Sequence, residues 1–320
     1  MVKLIFFGTP TFAVPSLLKL FGSTHEVTAV ITQPDRPRGR GQRVSESPVK
    51  RMASCHSVRV LQPQKMKDPL FLETLRNLKP DLGVVAAYGK ILPAQVLSVP
   101  RHGMINVHAS LLPRYRGAAP IQRAVMAGET TTGITIIHLV MEMDAGPMLR
   151  KASYPILPND TSEILARALS ELGATTLIET IEDLEKSLDS AETQDETLVT
   201  FAPRLSKNEG LIDWSRPGLS IHNQVRGLQP WPHAFTYLKG SRYVIHRTTP
   251  TDLPVSPASR TTEQFGEILE ASADRLTVAA GSGTAVRILE IQPEGKRPLP
   301  TRAFLAGYAI EVGSIFHGPS

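Results

Sequence analysis

The sequence predicts an α/β domain built on a parallel sheet, followed by a small β-barrel domain of OB type. Three observations carry this. Apolar strand-like runs alternate with amphipathic helical segments through the first half of the chain; a polar, acidic stretch interrupts them at 185–197; and beyond about residue 234 only short strands and tight turns remain. A chain of 320 residues suits two domains. The boundaries read as 1–188 and 204–320, with 189–203 as the linker between them.

Taken in order, residues 2–8 form an apolar strand that ends in glycine. Residues 9–21 follow as a helix with Phe12, Val14, Leu17, Leu18, Leu20 and Phe21 on its apolar face, and 26–32 make a second strand. Strand, helix and strand at this spacing are a βαβ unit, which implies a parallel sheet. Gly8-Thr9-Pro10 is not Gly-x-Gly-x-x-Gly and does not support a bound dinucleotide. Residues 33–51 depart sharply, because Arg36, Arg38, Arg40, Arg43, Lys50 and Arg51 crowd a stretch that proline and glycine keep irregular. A basic loop at 33–48 suits phosphate contacts, and it equally suits a solvated surface.

A helix at 47–56, a short strand at 58–61 and a helix from Asp68-Pro69 to about Lys79 come next, the last with proline in its first turn. The strand 81–87 is apolar from Leu82 onward, as a central parallel strand requires. Residues 88–93 turn over the sheet edge. Residues 103–108 are again a short buried strand, and Asn106 and His108, two apart, leave it on the same face. The strand breaks at Ser110 and Pro113, and a helix begins near Ala119. A strand at 133–140, a loop at 141–147 bearing Asp144 and an edge strand at 148–156 complete the sheet. Asp160-Thr161-Ser162-Glu163 has the form of a capping box and opens a long amphipathic helix reaching Leu184.

The second domain opens near Ala202 and carries a helix at 219–228. Strands follow at 234–238, 243–248, 266–272, 275–280 and 285–291, linked by the turn sequences Lys239-Gly240, Ala273-Asp274 and Gly281-Ser282-Gly283. Five short strands suit a barrel that binds nucleic acid.

Composition narrows the function classes. A net charge of +5 and a pI of about 9.3 permit a polyanionic partner without requiring one. The single cysteine, Cys55, excludes an intrachain disulfide and a cysteine-based zinc cluster, and suits a reducing compartment. The first apolar run is too short for a signal peptide, and none approaches the roughly 20 residues that span a bilayer. The expectation is a soluble, cytoplasmic protein.

An amide donor and an imidazole projecting together from a strand end suit acyl transfer to an amine. The amide can stabilise charge on a carbonyl oxygen, and the imidazole can take the amine's proton. The pair alone suits equally well a strand end whose Asn and His satisfy backbone groups. The surrounding residues are more specific. Ser110-Leu111-Leu112-Pro113, Arg114-Tyr115-Arg116-Gly117 and Ala118-Ala119-Pro120-Ile121-Gln122 resemble the signature of 10-formyltetrahydrofolate-dependent formyltransferases, in particular those acting on methionyl-tRNA.

That resemblance implies a Rossmann-like catalytic domain with Asn106 and His108 as catalytic residues. A third, an aspartate in a Met-Asp-x-Gly setting, is matched by Asp144. It implies that Ser110, Leu111, Leu112 and Pro113 bind the folate, and that Tyr88 and Gly89 belong to the wall of the pteridine pocket. The 10-formyltetrahydrofolate co-substrate would donate its formyl group to the α-amine of methionyl initiator tRNA, for translation initiation. Asn106 would donate to the formyl oxygen and His108 would accept the amine's proton. Asp144 would fix the His108 tautomer, stabilise its charged form or hold a water. No metal is needed.

In the family the basic loop meets the tRNA acceptor end, which assigns Arg36, Arg38, Arg40 and Arg43 to tRNA, with Arg40 as the matching arginine. Lys207-x-x-Gly210-x-Ile212-Asp213-Trp214, Arg226-Gly227-x-x-Pro230-Trp231-Pro232 and Gly295-Lys296 match the family's second domain. Lys207 and Arg226 are its candidate tRNA-binding residues, with Lys296 and Arg297 beside them. By analogy the protein is expected to be a monomer. Two other readings stay open: the same chemistry with an amino-sugar nucleotide as acceptor, and a non-catalytic RNA-binding protein with a vestigial formyltransferase domain.

Overall fold

The computed structural model describes residues 1–38, 43–251 and 265–318. The chain forms two compact units. Unit 1 comprises Met1–Pro120, Thr131–Pro155 and Ala166–Ala202; unit 2 comprises Ile121–Thr130, Ile156–Leu165 and the chain from Pro203 onward.

Unit 1 begins with β1 (Lys3–Gly8), a 3-10 turn, α1 (Val14–Phe21) and β2 (Glu26–Ile31). The stretch read as an irregular loop instead forms a small antiparallel hairpin, β3 (Arg36–Arg38) with β4 (Arg43–Ser45). Its base is tied down at Asp35. That carboxylate accepts from Lys50 Nζ and from Gln62 Nε2 (2.8 Å), while Gln62 also donates to the Gln33 carbonyl (2.9 Å). The bonds from Lys50 and Gln62 hold the Asp35 carboxyl below its ordinary pKa. Helix α2 (Pro48–Cys55) is capped by Ser47, which accepts from Lys50 N–H. After β5 (Val60–Leu61) comes α3 (Pro69–Asn77), capped by Asp68. In chain order then follow β6 (Leu82–Ala86), α4 (Ala94–Leu97), β7 (Met104–His108), β8 (Arg116–Gly117), α5 (Pro120–Ala127), β9 (Thr131–His138), β10 (Met148–Pro155), α6 (Ser162–Glu182), α7 (Leu184–Asp189) and β11 (Phe201–Ala202), of which α5 after Pro120 and the first turn of α6 belong to unit 2.

The main sheet has the order β10-β9-β7-β6-β1-β2-β5. The five strands from β7 to β5 are parallel, and β9 and β10 extend the sheet antiparallel, with β10 at the edge. The loop between β9 and β10 is too short for a crossover, so those two must run antiparallel. The chain moves outward from β1 through β2 to β5, then returns to β6 and β7 on the other side of β1. The order therefore switches between β1 and β6, and the C-terminal strand ends there form a crevice of the kind that binds ligands. Ile5, Phe7, Ile31, Leu75, Val96 and Met104 form the core against one face.

Two sequence expectations are corrected by the structure. The Asp160 carboxylate does not cap α6: it accepts from Leu157 N–H (2.8 Å), and Thr161 Oγ1 accepts from Ile164 N–H (3.3 Å). The stretch 185–197 is not featureless. It contains the end of α7 and a 3-10 turn at Glu196–Leu198, and the chain through Ala202 belongs to unit 1. No described helix is long and apolar enough to cross a membrane.

In unit 2, α8 (Gly218–Gly227) precedes β12 (Ala234–Leu238), β13 (Ser241–Thr251), β14 (Ile268–Ser272), β15 (Arg275–Ala279), β16 (Ala285–Pro293), β17 (Leu299–Pro300) and α9 (Thr301–Gly307). The sheet order is β12-β13-β16-β15-β14, with β17 added on β16, and every pairing is antiparallel. Lys239 and Gly240 both have positive φ (48° and 76°), as a two-residue hairpin turn requires. Residues 313–317 close the sheet into a barrel. Tyr237 and His317 exchange backbone hydrogen bonds (3.0 and 2.9 Å) on the β12 edge. On the other edge Phe316 N–H donates to Gly266 and Ile268 N–H to Ser314, both at 2.8 Å. Trp214, Ile221, Tyr243, Val286, Phe304 and Phe316 pack inside.

Candidate active site

β7 pairs with β6 on one side and β9 on the other, so its backbone groups are occupied and its side chains are fixed by the pleat. Asn106 and His108 leave one face of it near its C-terminal end. Among the described residues the Asn106 carboxamide has no hydrogen-bond partner, and it is half-buried. His108 is buried (5% exposed). Its Nε2 lies 3.0 Å from the Tyr115 carbonyl oxygen and its Nδ1 lies 3.6 Å from Asp144 Oδ2. A carbonyl only accepts, so Nε2 carries a hydrogen, and in the neutral ring Nδ1 holds the lone pair. Of the three predicted catalytic residues, the structure brings His108 and Asp144 together and sets Asn106 beside them on the same strand face.

Asp144 lies on the β9–β10 loop with a left-handed backbone (φ 52°). Gly117 N–H donates to its Oδ2 at 2.9 Å. A side chain at Gly146 could not be accommodated, since a Cβ there would lie 1.7 Å from the His138 carbonyl oxygen; this close approach sets the loop's exit.

The segment 110–113 is a buried turn. Ser110 Oγ donates to the Arg114 carbonyl (2.6 Å). Thr135 Oγ1 donates to the Ser110 carbonyl (2.7 Å) and accepts from Leu112 N–H (3.1 Å). The side chains of Ser110 (0% exposed) and Leu112 (2%) are therefore not available to a folate, contrary to the sequence expectation. Leu111 and Pro113 are half-buried and are what the turn presents. Tyr88 is corrected as well. The left-handed residue Ala87 (φ 46°) breaks the strand alternation, and the Tyr88 ring turns into the core, edge-on to Phe7. Its hydroxyl donates to Met66 Sδ (3.3 Å), and burial pushes its pKa up to about 12. Gly89, at φ 81°, is exposed at the crevice.

Among the basic candidates, Arg36 and Lys207 are exposed. Arg38 and Arg43 pair through their backbones across the hairpin, and Arg40 lies outside the described residues. Arg226 is not a surface cation. It is 7% exposed and donates to Asn223 Oδ1 (2.8 Å) and to the Asp160 carbonyl (3.0 Å), both within unit 2. Burial lowers its guanidinium pKa, with Asp160 opposing. Its Nε and Nη1 groups are used within unit 2.

The sequence matches the formyl transferase family over residues 2–181 and the formyl transferase C-terminal domain over residues 204–309. The chain belongs to the formyl transferase family. It is similar to a methionyl-tRNA formyltransferase of Geobacter sulfurreducens, 46% identical over 313 residues that cover 98% of this chain and 96% of the relative. Among solved structures it shares its fold with an N-formyltransferase from Helicobacter canadensis, crystallised with folinic acid and dTDP-3-aminofucose. That likeness has a TM-score of 0.69 at 19% identity and covers 92% of this chain and 100% of the other. A methionyl-tRNA formyltransferase from Clostridium thermocellum has a TM-score of 0.55 at 17% identity, covering 78% and 93%.

This formyl transferase has site residues that the sequence reading passed over. Gln194 (4% exposed) donates from Nε2 to the carbonyls of Asp144 (2.7 Å) and Gly146 (2.8 Å). Its Oε1 accepts from Arg116 Nε (2.9 Å), and Arg116, 6% exposed, also forms an ion pair with Glu196 (2.8 Å). Gln194 stands in an acidic stretch without apolar periodicity, so no local signal marked it. Thr135 lies opposite His108 on the β7–β9 ladder, a pairing that only the fold brings about.

Proposed function

We propose that this formyl transferase moves the formyl group of 10-formyltetrahydrofolate to the α-amine of methionyl initiator tRNA. The observation that carries the reading is the setting of His108, whose two ring nitrogens face the Tyr115 carbonyl and the Asp144 carboxylate beside an Asn106 amide that has no partner among the described residues. The full-length likeness to a methionyl-tRNA formyltransferase supports the choice of acceptor. The exposed basic residue Arg36, at the foot of the hairpin, supports contact with a phosphate backbone.

The folate fits the crevice at the strand ends. Gly89 leaves backbone exposed there, and Ile91, Met141 and Met143 are exposed apolar side chains on the two loops that follow β6 and β9. A flat heteroaromatic ring needs this mixture of apolar contact and a few backbone partners. The bound folate supplies the activated formyl group.

Asn106 donates to the formyl oxygen as charge develops on it. The Nε2 hydrogen of His108 is committed to the Tyr115 carbonyl, so the proton lost by the attacking amine enters at Nδ1. That proton turns a lone pair facing Asp144 Oδ2 into a charge-assisted donor. Tyr115 thus sets the tautomer, and Asp144 stabilises the charged ring. The amine nitrogen gains a bond to the formyl carbon, the bond from that carbon to the folate nitrogen breaks, and the folate nitrogen takes up a proton. An enzyme serving initiation would work in the cytoplasm, as one chain.

The test is formylation of charged initiator tRNA by the purified protein with 10-formyltetrahydrofolate. Formylmethionyl-tRNA from the wild type, and almost none from His108→Ala, is expected. A folded protein that makes no product with tRNA but formylates an amino-sugar nucleotide would replace the acceptor. One that binds tRNA and formylates neither would replace the enzymatic reading.

A further inference from the structure

Gln194, Arg116, Gly117 and Asp144 form a closed circuit. Gln194 Nε2 donates to the Asp144 and Gly146 carbonyls, and Gln194 Oε1 accepts from Arg116 Nε. The residue after Arg116, Gly117, donates its N–H to Asp144 Oδ2. Arginine can only donate, so the orientation of the Gln194 amide is fixed, and its two hydrogens must go to the two loop carbonyls. Glu196 holds the far nitrogens of Arg116 and keeps that side chain from swinging away.

Backbone bonds pin the base of the loop that carries Asp144, from His138 N–H to the Pro147 carbonyl (2.9 Å) and from Leu139 N–H to the Met104 carbonyl (2.7 Å), but side-chain packing holds little of its middle. Val140 (40%), Met141 (63%) and Met143 (61%) are exposed, so packing does not fix its course. Asp144 itself has the left-handed backbone that non-glycine residues adopt only when their surroundings impose it. The same stretch of chain also grips the other partner of His108. Thr200 Oγ1 accepts from Tyr115 N–H and the Thr200 carbonyl from Arg116 N–H, both at 2.9 Å. One segment, residues 194–200, thus supports the groups facing both His108 nitrogens.

We propose that Gln194 is a positioning residue for Asp144: it holds the loop backbone so that the carboxylate stays on the Nδ1 side of His108. This rests on the formyl-transfer reading, because the rate is what reports the position. Gln194 touches neither substrate nor the reacting atoms, and acts through Asp144.

The test uses the full chain and two variants. Gln194→Met keeps the volume and removes all the bonds; Gln194→Glu keeps the acceptor for Arg116 and removes both donors at neutral pH. Single-turnover formylation with enzyme in excess is compared in the wild-type and Asp144→Ala backgrounds. Both variants are expected to slow the wild-type enzyme by about 10- to 100-fold and the Asp144→Ala enzyme by less than about threefold, since residues acting as a unit are not additive. Hydrogen exchange gives a second readout that needs no activity. The Gly117 amide, whose acceptor is Asp144 Oδ2, is expected to exchange faster in both variants, while the amides of β1 and β6 keep their protection.

Equal slowing in both backgrounds, no slowing, or unchanged Gly117 exchange would overturn the assignment. So would loss of the folded state in both variants, which would make Gln194 a folding residue. A wild-type protein with no formyl transfer would instead overturn the functional reading, and is seen before any variant is compared.

Discussion

His108 Nε2 and the Tyr115 carbonyl oxygen stand 3.0 Å apart, so the hydrogen on that nitrogen is already given to the backbone. In the proposed mechanism the base is then the other nitrogen, on the Asp144 side. His108→Ala is expected to slow single-turnover formylation by about 10²- to 10⁴-fold, the usual contribution of a positioned base. Asn106→Ala is expected to cost about 10²- to 10³-fold, the usual loss of one oxyanion donor. Folate affinity, measured by titration calorimetry, should change little in either. A large loss of folate binding with an unchanged rate on saturation would contradict both roles.

Arg226 gives a prediction of the opposite kind. Truncation to alanine leaves the buried Asp160 carbonyl and Asn223 side chain without their charged partner. Arg226→Ala should lower stability in urea by about 2–3 kcal/mol. The salt dependence of tRNA binding should not change, since this guanidinium is almost wholly buried.

The exposed arginine of the hairpin behaves differently. Removing one phosphate contact lowers the slope of log affinity against log salt by about one. Arg36→Ala should weaken tRNA use in that salt-dependent way and leave the folate KM alone. The same is expected of Arg40→Ala. A parallel loss of folate affinity would take the hairpin away from the tRNA.

Tyr88 makes the protein sensitive to alkali. Its hydroxyl titrates near 10 in the unfolded chain and near 12 in the fold. Between those values the unfolded state has lost a proton that the native state keeps, so stability falls as pH rises. Up to about 2 kcal/mol should disappear between pH 10 and 12. Tyr88→Phe should flatten that part of the stability curve, read as urea midpoints across the pH range.

Much of this was legible in the sequence because the physics was local. The apolar run of β6, the alternation around Asn106 and His108, Pro69 in the first turn of α3 and the Lys239-Gly240 turn each specify their own backbone. The residues that were misread belong to long-range packing. Tyr88 follows a strand and looks available, but a left-handed Ala87 turns it inward. Arg226 sits in a helix and looks like a surface cation, yet carbonyls from residues 157–160 surround it. Gln194 has no neighbours in sequence that mark it, because its partners lie at 116, 144 and 146. The closing segment 313–317 is short, with Ile315 and Phe316 as its apolar residues, and only isolated bridges to its two edge partners tie it to the sheet.

That closing segment has a bearing on how the protein is made. Chains are synthesised from the N-terminus, and domains fold as units as they become available. Unit 2 cannot complete its barrel until residues 313–317 are out, although β12, whose edge they cover, appears about 80 residues sooner, at roughly 5–20 residues per second. For several seconds the nascent barrel has two strand edges with unsatisfied backbone groups, the condition under which chains pair with one another. Translation speed between β12 and residue 317, and any shielding of the emerging chain, should therefore govern how much of this protein reaches the folded state. The barrel cannot close before residues 313–317 have been made.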